Sequence, residues 1–114
     1  INIMYEIFKQ KNGNFNFRLK DKKGNILLQG SGYTQKTNCQ KGISSAKRNS
    51  KKEERIELSS TKPLGWILSL KAGTGRITAQ SLVYRTETEA KEALEKITLT
   101  APTAEIKDLT RDNT

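Results

Sequence analysis

The sequence predicts an α+β fold in which two diverged copies of one structural unit follow each other along a single domain. Two observations lead to this prediction. Residues 15–46 superpose on residues 66–97 at a constant offset of 51, with no gap. In both segments the apolar periodicity lengthens from two residues to about 3.6 at matching places, as expected where a strand gives way to a helix. Each unit is therefore predicted to be a β-meander followed by a helix and a final strand.

Identical residues at matching positions support the superposition. Seven of the 32 superposed pairs are identical, and they include a glycine pair and a tyrosine pair. These pairs are Leu19 and Leu70, Lys20 and Lys71, Gly24 and Gly75, Ile26 and Ile77, Gln29 and Gln80, Tyr33 and Tyr84, and Thr37 and Thr88.

The strands are predicted from alternation of apolar and polar residues. Phe15, Phe17 and Leu19 recur with a period of two, as Trp66, Leu68 and Leu70 do, which indicates one buried face in each strand. Each of these strands is followed by a glycine-containing turn, at 21–25 and 72–76. The other predicted strands are 4–8, 26–29 and 55–58 in the first unit, and 56–60, 77–80 and 105–109 in the second.

A helix is predicted in each unit from apolar and small residues spaced i, i+3, i+4 and i+7. These residues are Cys39, Gly42, Ile43 and Ala46 in the first unit, and Ala90, Ala93, Leu94 and Ile97 in the second. Thr34 and Thr86 are predicted N-caps, and Thr86 with Glu89 has the spacing of a capping box. Gly42 is expected to mark a close approach between the helix and the sheet.

The domain organisation follows from these units and from the chain length. Residues 1–114 form one predicted domain, because a chain of 114 residues supports one shared core better than two independent ones. The first repeat covers about 3–58 and the second about 59–109. Residues 110–114 are predicted to be a polar tail.

Three segments resemble the signature of the YegP-like family, a group of small bacterial proteins of unknown function. They are Gly-Tyr-Thr-Gln-Lys at 32–36, Gly-Ile-Ser-Ser-Ala-Lys-Arg-Asn at 42–49 and Glu-Glu-Arg at 53–55. The resemblance extends over nearly the whole chain. It implies two tandem β-β-β-α-β units that share one antiparallel sheet, with the C-terminal strands swapped between the repeats and the helices packed on the sheet. It implies no known activity, cofactor or catalytic residue.

The two halves of the chain differ within this resemblance. The family usually repeats a Gly-Ile-x-Ser-x-Lys helix in the second unit, where this chain has Ala-Leu-Glu-Lys-Ile at 93–97. The two units are therefore not expected to do the same job.

The residue inventory argues against an enzyme. The chain has no histidine and one cysteine, Cys39, so it lacks the commonest general base and metal ligand and has no partner for an internal disulfide. Glu53 and Glu54 are adjacent on a basic stretch, and the serines lack the Gly-x-Ser-x-Gly elbow. Four further glutamates lie along one predicted helix with lysines, at 87, 89, 92 and 95. We therefore predict no catalytic residue, no metal and no cofactor.

No membrane association is expected from the sequence. No apolar run approaches the roughly 20 residues of a membrane span, and residues 1–8 contain no basic leader followed by an apolar block. A soluble cytoplasmic protein is predicted. Because two repeats in one chain can satisfy each other, we expect a monomer, with a swapped dimer as the alternative.

Charge is the property that points to a partner. The net charge is +9, and residues 1–57 hold 13 basic and 5 acidic residues, against 8 and 7 in residues 58–114. The basic residues form two clusters, along the second strand and its turn and at the end of the first helix. With Tyr33 as a stacking residue, the candidate anion or nucleic-acid contacts are Arg18, Lys20, Lys22, Lys23, Tyr33, Lys47, Arg48, Lys51 and Lys52.

Two binding functions are consistent with these features. The first is low-specificity nucleic-acid binding, in which the basic first repeat neutralises phosphates. The second is a protein-interaction module that recognises an acidic partner or pairs through a sheet edge. The basic residues after the first helix also have a structural explanation, because cations near a helix C-terminus complement its dipole.

Overall fold

In the computed structural model, which describes residues 3–111, three strands precede each of two helices and a further strand follows the second helix. The strands are β1 (Met4–Lys9), β2 (Phe15–Lys20), β3 (Ile26–Gly30), β4 (Ile56–Thr61), β5 (Gly65–Lys71), β6 (Ile77–Gln80) and β7 (Glu105–Asp108). The helices are α1 (Lys36–Asn49) and α2 (Glu87–Thr100). A short 3-10 helix, Glu53–Arg55, leads into β4. The fold is α+β, as predicted. Of the predicted polar tail, residues 112–114 lie outside the described residues.

All strands belong to one sheet with the order β4-β5-β6-β3-β2-β1-β7. Neighbouring strands are antiparallel except β1 and β7, which are parallel. The predicted antiparallel sheet is therefore wrong for this pair, and the sheet is mixed. The physical reason is that β1 and β7 are not joined by a short hairpin. The chain reaches β7 through α2, and a long connection allows a strand to run in the same direction as its neighbour.

A single strand, β4, stands where the sequence suggested two overlapping strands, 55–58 and 56–60. In the register of the sheet, Ile56 lies opposite Leu70, just as Tyr5 lies opposite Leu19. Both members of the first pair lie 51 residues after those of the second. The relation of β4 to β5 thus matches that of β1 to β2.

Other local features also recur 51 residues apart. The two helices have 14 residues each, and each of β2 and β5 has a register shift next to its last residue. The isolated bridge between Phe15 and Tyr33 has its counterpart between Trp66 and Tyr84. Gly24 and Gly75 adopt positive φ in the corresponding hairpin turns, a conformation that glycine adopts without steric cost.

The core lies between the helices and one face of the sheet. Strand residues such as Phe17 and Leu68 are fully buried on this face, and so are Ile43 of α1 and Ile97 of α2. Burying one such side chain contributes about 1.5–3 kcal/mol. The buried side chains of both halves belong to one continuous cluster, so the helices and the sheet depend on a single core.

The two helices begin differently. Thr86 caps α2 with the predicted capping box, in which its hydroxyl accepts from the Glu89 backbone amide at 3.1 Å. The prediction that Thr34 caps α1 is wrong, because Gln35 occupies the N-cap and provides no side-chain cap. Because α1 begins at Lys36, Thr34 lies one residue before the N-cap position.

Gly42 lies where α1 approaches the aromatic side chains on the sheet. A Cβ atom on this residue would overlap the hydroxyl and ring of Tyr33 and would lie 3.2 Å from the ring of Phe17. The prediction of a close approach at this glycine is confirmed.

We expect Gly42→Ala to destabilise the protein by about 1–3 kcal/mol, because overpacking outweighs the gain in helix propensity. Gly73→Ala is the matched control, since an added Cβ there meets only the flexible end of Arg55, at 3.4 Å. The control should change the free energy of unfolding by no more than about 0.5 kcal/mol. Urea denaturation would measure both variants, and equal effects would contradict the steric explanation.

Candidate functional site

The outer edge of β4 exposes backbone hydrogen-bonding groups. The Leu68 amide donates to the Ser81 hydroxyl at 2.9 Å and the Leu68 carbonyl accepts from the Ser81 amide at 2.9 Å, so Leu68 faces β6. Because backbone groups alternate in direction along a strand, the neighbours of Leu68 face β4 and hydrogen-bond the residues opposite them, Glu57 and Ser59. The N–H and C=O groups of Leu58 and Ser60 therefore point outward. No other strand within residues 3–111 pairs with them.

The matching edge of β1 is covered. β7 pairs with it in parallel, with Ile106 opposite Tyr5 and Lys107 opposite Glu6. The amide of Leu109 donates to the carbonyl of Ile7 at 2.9 Å, and Ile7 lies 51 residues before Leu58. The Ile7 carbonyl thus has a hydrogen-bond partner at the β1 edge, whereas the equivalent Leu58 carbonyl at the β4 edge faces no strand of residues 3–111.

An ion pair anchors β7 to the start of α1. The Lys36 ammonium contacts the Asp108 carboxylate, which also accepts from the Thr110 amide at 2.9 Å. Burial opposes ionisation of Asp108, but these contacts outweigh it and hold the pKa of the carboxyl below its ordinary value.

We expect Asp108→Asn to lower the free energy of unfolding by about 1 kcal/mol at pH 7, the size of a partly exposed ion pair. Because the pKa of Asp108 is lower in the folded state, this stabilisation is complete above the unfolded pKa of about 3.9. It should fade as the pH falls through the folded pKa, so the wild type and the variant should converge in acid. Glu105→Gln on the same strand is the control and should have no effect. Parallel curves down to about pH 2 would contradict this assignment.

Exposed apolar residues lie beside the start of β5, where the chain turns from β4. Leu64, Leu82 and Val83 are 72%, 54% and 51% exposed, and Val83 packs close to Gly65. At the corresponding positions 51 residues earlier the chain has Gly13, Ser31 and Gly32. The β4–β5 turn, and the segment after β6 on the other side of β5, therefore present apolar surface that the matching segments of the first half do not.

Two of the predicted basic contacts lie on the sheet face opposite the helices. Arg18 and Lys20 both contact Glu6, at 2.8 Å and 3.4 Å, and the Arg18 guanidinium also lies 4.3 Å from the centre of the Phe8 ring. Burial opposes ionisation of Glu6, but the two cations lower its pKa. Arg18 and Lys20 are thus already paired within the protein.

The hairpin turn between β2 and β3 places Lys22 and Lys23 beside an open groove of about 610 Å³. Lys96 of α2 lines the same groove and lies 3.6 Å from Asp21. Sequence reasoning missed Lys96 because it is 73 residues from Lys23 and shares no motif with it. Only the packing of α2 beside the turn brings the three lysines together.

The last four predicted cations cluster at the end of α1. Lys47 and Arg48 are in its last turn, and Lys51 and Lys52 follow it. Within the described part of the chain, none of the four lies within 4 Å of a carboxylate. The Lys47 ammonium lies 5.8 Å from the centre of the Tyr5 ring, whereas the other three are exposed.

Tyr33 is partly buried, and one face of its ring is occupied by another aromatic residue. Its ring stacks on Phe17 with centroids 6.3 Å apart, and burial raises the pKa of its hydroxyl. The nine candidate contacts therefore divide into three surface regions and one packed tyrosine.

No feature of the described residues points to a reactive site. The thiol of Cys39 is buried, and burial raises its pKa to about 11. Among residues 3–111, no group of three or more acidic, histidine or cysteine side chains is placed to hold a metal ion. Nor is any helix in that range long and apolar enough to cross a membrane.

Comparison with known proteins gives consistent matches. Residues 10–57 match the family model described as a domain of unknown function, DUF1508. The "UPF0339 protein in ptx operon 5'region" of Stutzerimonas stutzeri is 31% identical over 102 residues, covering 90% of this chain and 92% of the relative. The UPF0339 protein YegP of Yersinia pestis is 34% identical over 106 residues, with 93% and 95% covered.

Solved structures agree with these sequence matches. The solution NMR structure of YegP from Escherichia coli, a protein of unknown function, superposes with a TM-score of 0.89 at 29% identity, covering 99% of this chain and 97% of the other. A UPF0339 protein from Shewanella oneidensis gives a TM-score of 0.88 at 29% identity, with 96% and 92% covered.

Proposed function

This chain belongs to the UPF0339 family of YegP-like proteins, and we propose that it is a non-catalytic module that binds a protein partner by pairing at the free edge of its sheet. One observation carries the proposal. Within residues 3–111, the outward backbone groups of β4 are open, whereas the matching groups of β1 are covered by β7. An open edge strand is a template for an added strand, and edge addition is a common mode of peptide recognition.

The interpretation of the chain as two repeats belongs to this proposal. The features that recur at an offset of 51 support two repeats in one domain, in which β4 opens the second repeat as β1 opens the first. The boundary predicted between 3–58 and 59–109 falls inside β4. β4, the strand after α1, then opens the second repeat. β7, the strand after α2, pairs with β1 of the first repeat. As in the sequence-based expectation, we take the protein to be cytoplasmic. We take it to be a monomer because β7 of the same chain already fills the edge of the first repeat.

The composition of β4 also favours a binding role. Natural sheets protect their edges with charges, prolines or covering segments. β4 has six residues, of which only Glu57 is charged, and this side chain lies toward Lys71 at 3.2 Å rather than along the strand edge. The exposed Leu64 lies in the turn that follows β4, where it adds apolar surface for a partner.

We expect Ser60→Pro to abolish partner binding without unfolding the protein. Proline removes the outward N–H of Ser60, and an edge strand tolerates proline where the N–H faces solvent. The measurement is affinity capture from a nuclease-treated bacterial lysate, with thermal melting as the test of folding. A protein captured by the wild type should be absent with Ser60→Pro, whose melting temperature should stay within a few degrees of the wild type.

Ser59→Pro is the matched control for this experiment. The N–H of Ser59 points toward β5, so its loss breaks a ladder bond and should cost about 2–3 kcal/mol of stability. Neighbouring substitutions should thus separate edge binding from folding. The proposal fails if Ser60→Pro captures the same proteins in the same amounts as the wild type.

Low-specificity nucleic-acid binding is a second candidate function, favoured by the cluster at the end of α1. Lys47, Arg48, Lys51 and Lys52 have no carboxylate within 4 Å among the described residues, in contrast to Arg18 and Lys20. Cations that are not already paired are the groups that neutralise phosphates at the least cost. Lys22 and Lys23 form a separate basic region at the turn between β2 and β3.

We expect a variant with these four residues of the α1 cluster changed to glutamine to bind nucleic acid more weakly and with less salt dependence. For duplex DNA, the slope of log affinity against log salt should become shallower by about 0.9 for each phosphate that the variant no longer neutralises. Fluorescence anisotropy with short duplex and single-stranded DNA and RNA across a salt series would measure this. If the wild type binds no tighter than about 0.1 mM at physiological salt, this candidate function is rejected.

A further inference from the structure

We propose that the free edge of β4 takes an extended segment that runs parallel to it and carries an apolar residue followed by two basic residues. This inference rests on the proposed edge function and adds the orientation and chemistry of the partner. The guide to both is the β1–β7 pair within the same sheet, where such a segment is already bound.

The orientation follows from the match between the two edges. β4 relates to β5 as β1 relates to β2, so the edges of β4 and β1 present their groups in the same order. β7 fills the β1 edge in parallel, with successive residues of β7 opposite successive residues of β1. A partner that pairs with β4 in the same register therefore starts near Arg55 and ends near Leu58.

The apolar position follows from the same comparison. Ile106 lies opposite Tyr5, on the face of the sheet that the helices cover. Its counterpart on the partner lies opposite Ile56, which is also on the helix side and is buried. A branched or aromatic side chain at this place would pack beside Ile56 and stay partly exposed, as Ile106 does.

The second position of the partner faces a carboxylate. Lys107 of β7 lies opposite Glu6, and the residue 51 positions after Glu6 is Glu57. Glu57 is more available for a new ion pair than Glu6. It has one lysine contact and a side chain that is 52% exposed, whereas Glu6 has two cation contacts and is 14% exposed. A lysine or arginine opposite Glu57 would complete the same arrangement of charges.

The helix residue that faces the third position has opposite charge at the two edges. Asp108 of β7 contacts Lys36 in the first turn of α1, but 51 residues after Lys36 the chain has Glu87, in the first turn of α2. Glu89 adds a second acid to that turn, and the contact of Glu87 with Lys91 is solvent-exposed at both ends. The position equivalent to Asp108 therefore favours a basic residue.

The same charges disfavour a second copy of this chain as the occupant. The β7 segment of another copy would place its aspartate against Glu87, where two carboxylates repel each other. This explains why β7 of one copy does not occupy the open β4 edge of another. The partner is thus a different protein with a basic extended segment.

The test uses three blocked hexapeptides and 1H–15N NMR titration of the full chain. Ala-Glu-Ile-Lys-Asp-Leu copies residues 104–109, Ala-Glu-Ile-Lys-Lys-Leu carries the predicted basic pair, and Ala-Glu-Ile-Glu-Asp-Leu carries an acidic pair. The basic peptide should bind about tenfold more tightly than the acidic one, from the sum of two exposed charge pairs. The amide signals of Ile56 and Leu58 should shift, and Ser60→Pro, which disturbs the edge beside Leu58, should weaken the binding.

Two further measurements test the charge and the direction. In the Glu87→Lys variant the order should reverse, with the copy of residues 104–109 binding more tightly than the basic peptide. A nitroxide label on the peptide N-terminus should broaden amide signals near Ile56, as a parallel arrangement requires. Broadening near Thr61 instead would overturn the parallel orientation.

The remaining outcomes separate this inference from the proposed function. Equal affinity for all three peptides, or a preference for the acidic one, overturns the inferred chemistry and leaves edge binding in place. Absence of any peptide binding overturns the inference alone if Ser60→Pro still removes a captured protein. If that capture is also unaffected, both the inference and the proposed function fail.

Discussion

The fold depends on the burial of one face of a single sheet. The helices cover that face, and the largest fully buried side chains of the strands occupy it at every second residue, a pattern that a chain with 33% apolar residues can supply. They include Tyr5 and Ile7, Phe17 and Leu19, and Leu68 and Leu70. Neither half is large enough for an independent core. The antiparallel pairing of β3 and β6, through Gln29 opposite Gln80 and Gly30 opposite Ala79, joins the halves into one sheet over one core.

A sheet built in this way has two edges, and they differ in this protein. The β1 end is closed by β7, which is held by backbone hydrogen bonds and by the ion pair between Lys36 and Asp108. The β4 end has the same backbone geometry, and no strand of residues 3–111 covers it. Exposed apolar side chains beside it and acidic residues at the start of α2 make this end chemically distinct. The difference between the ends, rather than any cluster of reactive groups, is what suggests a function.

The distribution of charge is less uniform than the composition indicates. The sequence predicts one basic half, yet Arg18 and Lys20 are engaged with Glu6, and Tyr33 packs on Phe17. The more accessible cations of that half lie at the end of α1 and at the turn between β2 and β3. Counting charges along a chain cannot reveal this division, because ion pairs such as Lys96 with Asp21 join residues that are distant in sequence.

The sequence by itself determined the elements and the buried faces. Alternation in Phe15, Phe17 and Leu19, helical spacing around Ile43 and Ile97, and the capping box at Thr86 are local patterns, and the structure has these elements at the predicted places. Only the tertiary structure decided that β4 is one strand, that β7 runs parallel to β1, and that one edge is open within residues 3–111. Strand partners and edges are set by hydrogen bonds between segments up to about 100 residues apart, and local periodicity contains no information about them.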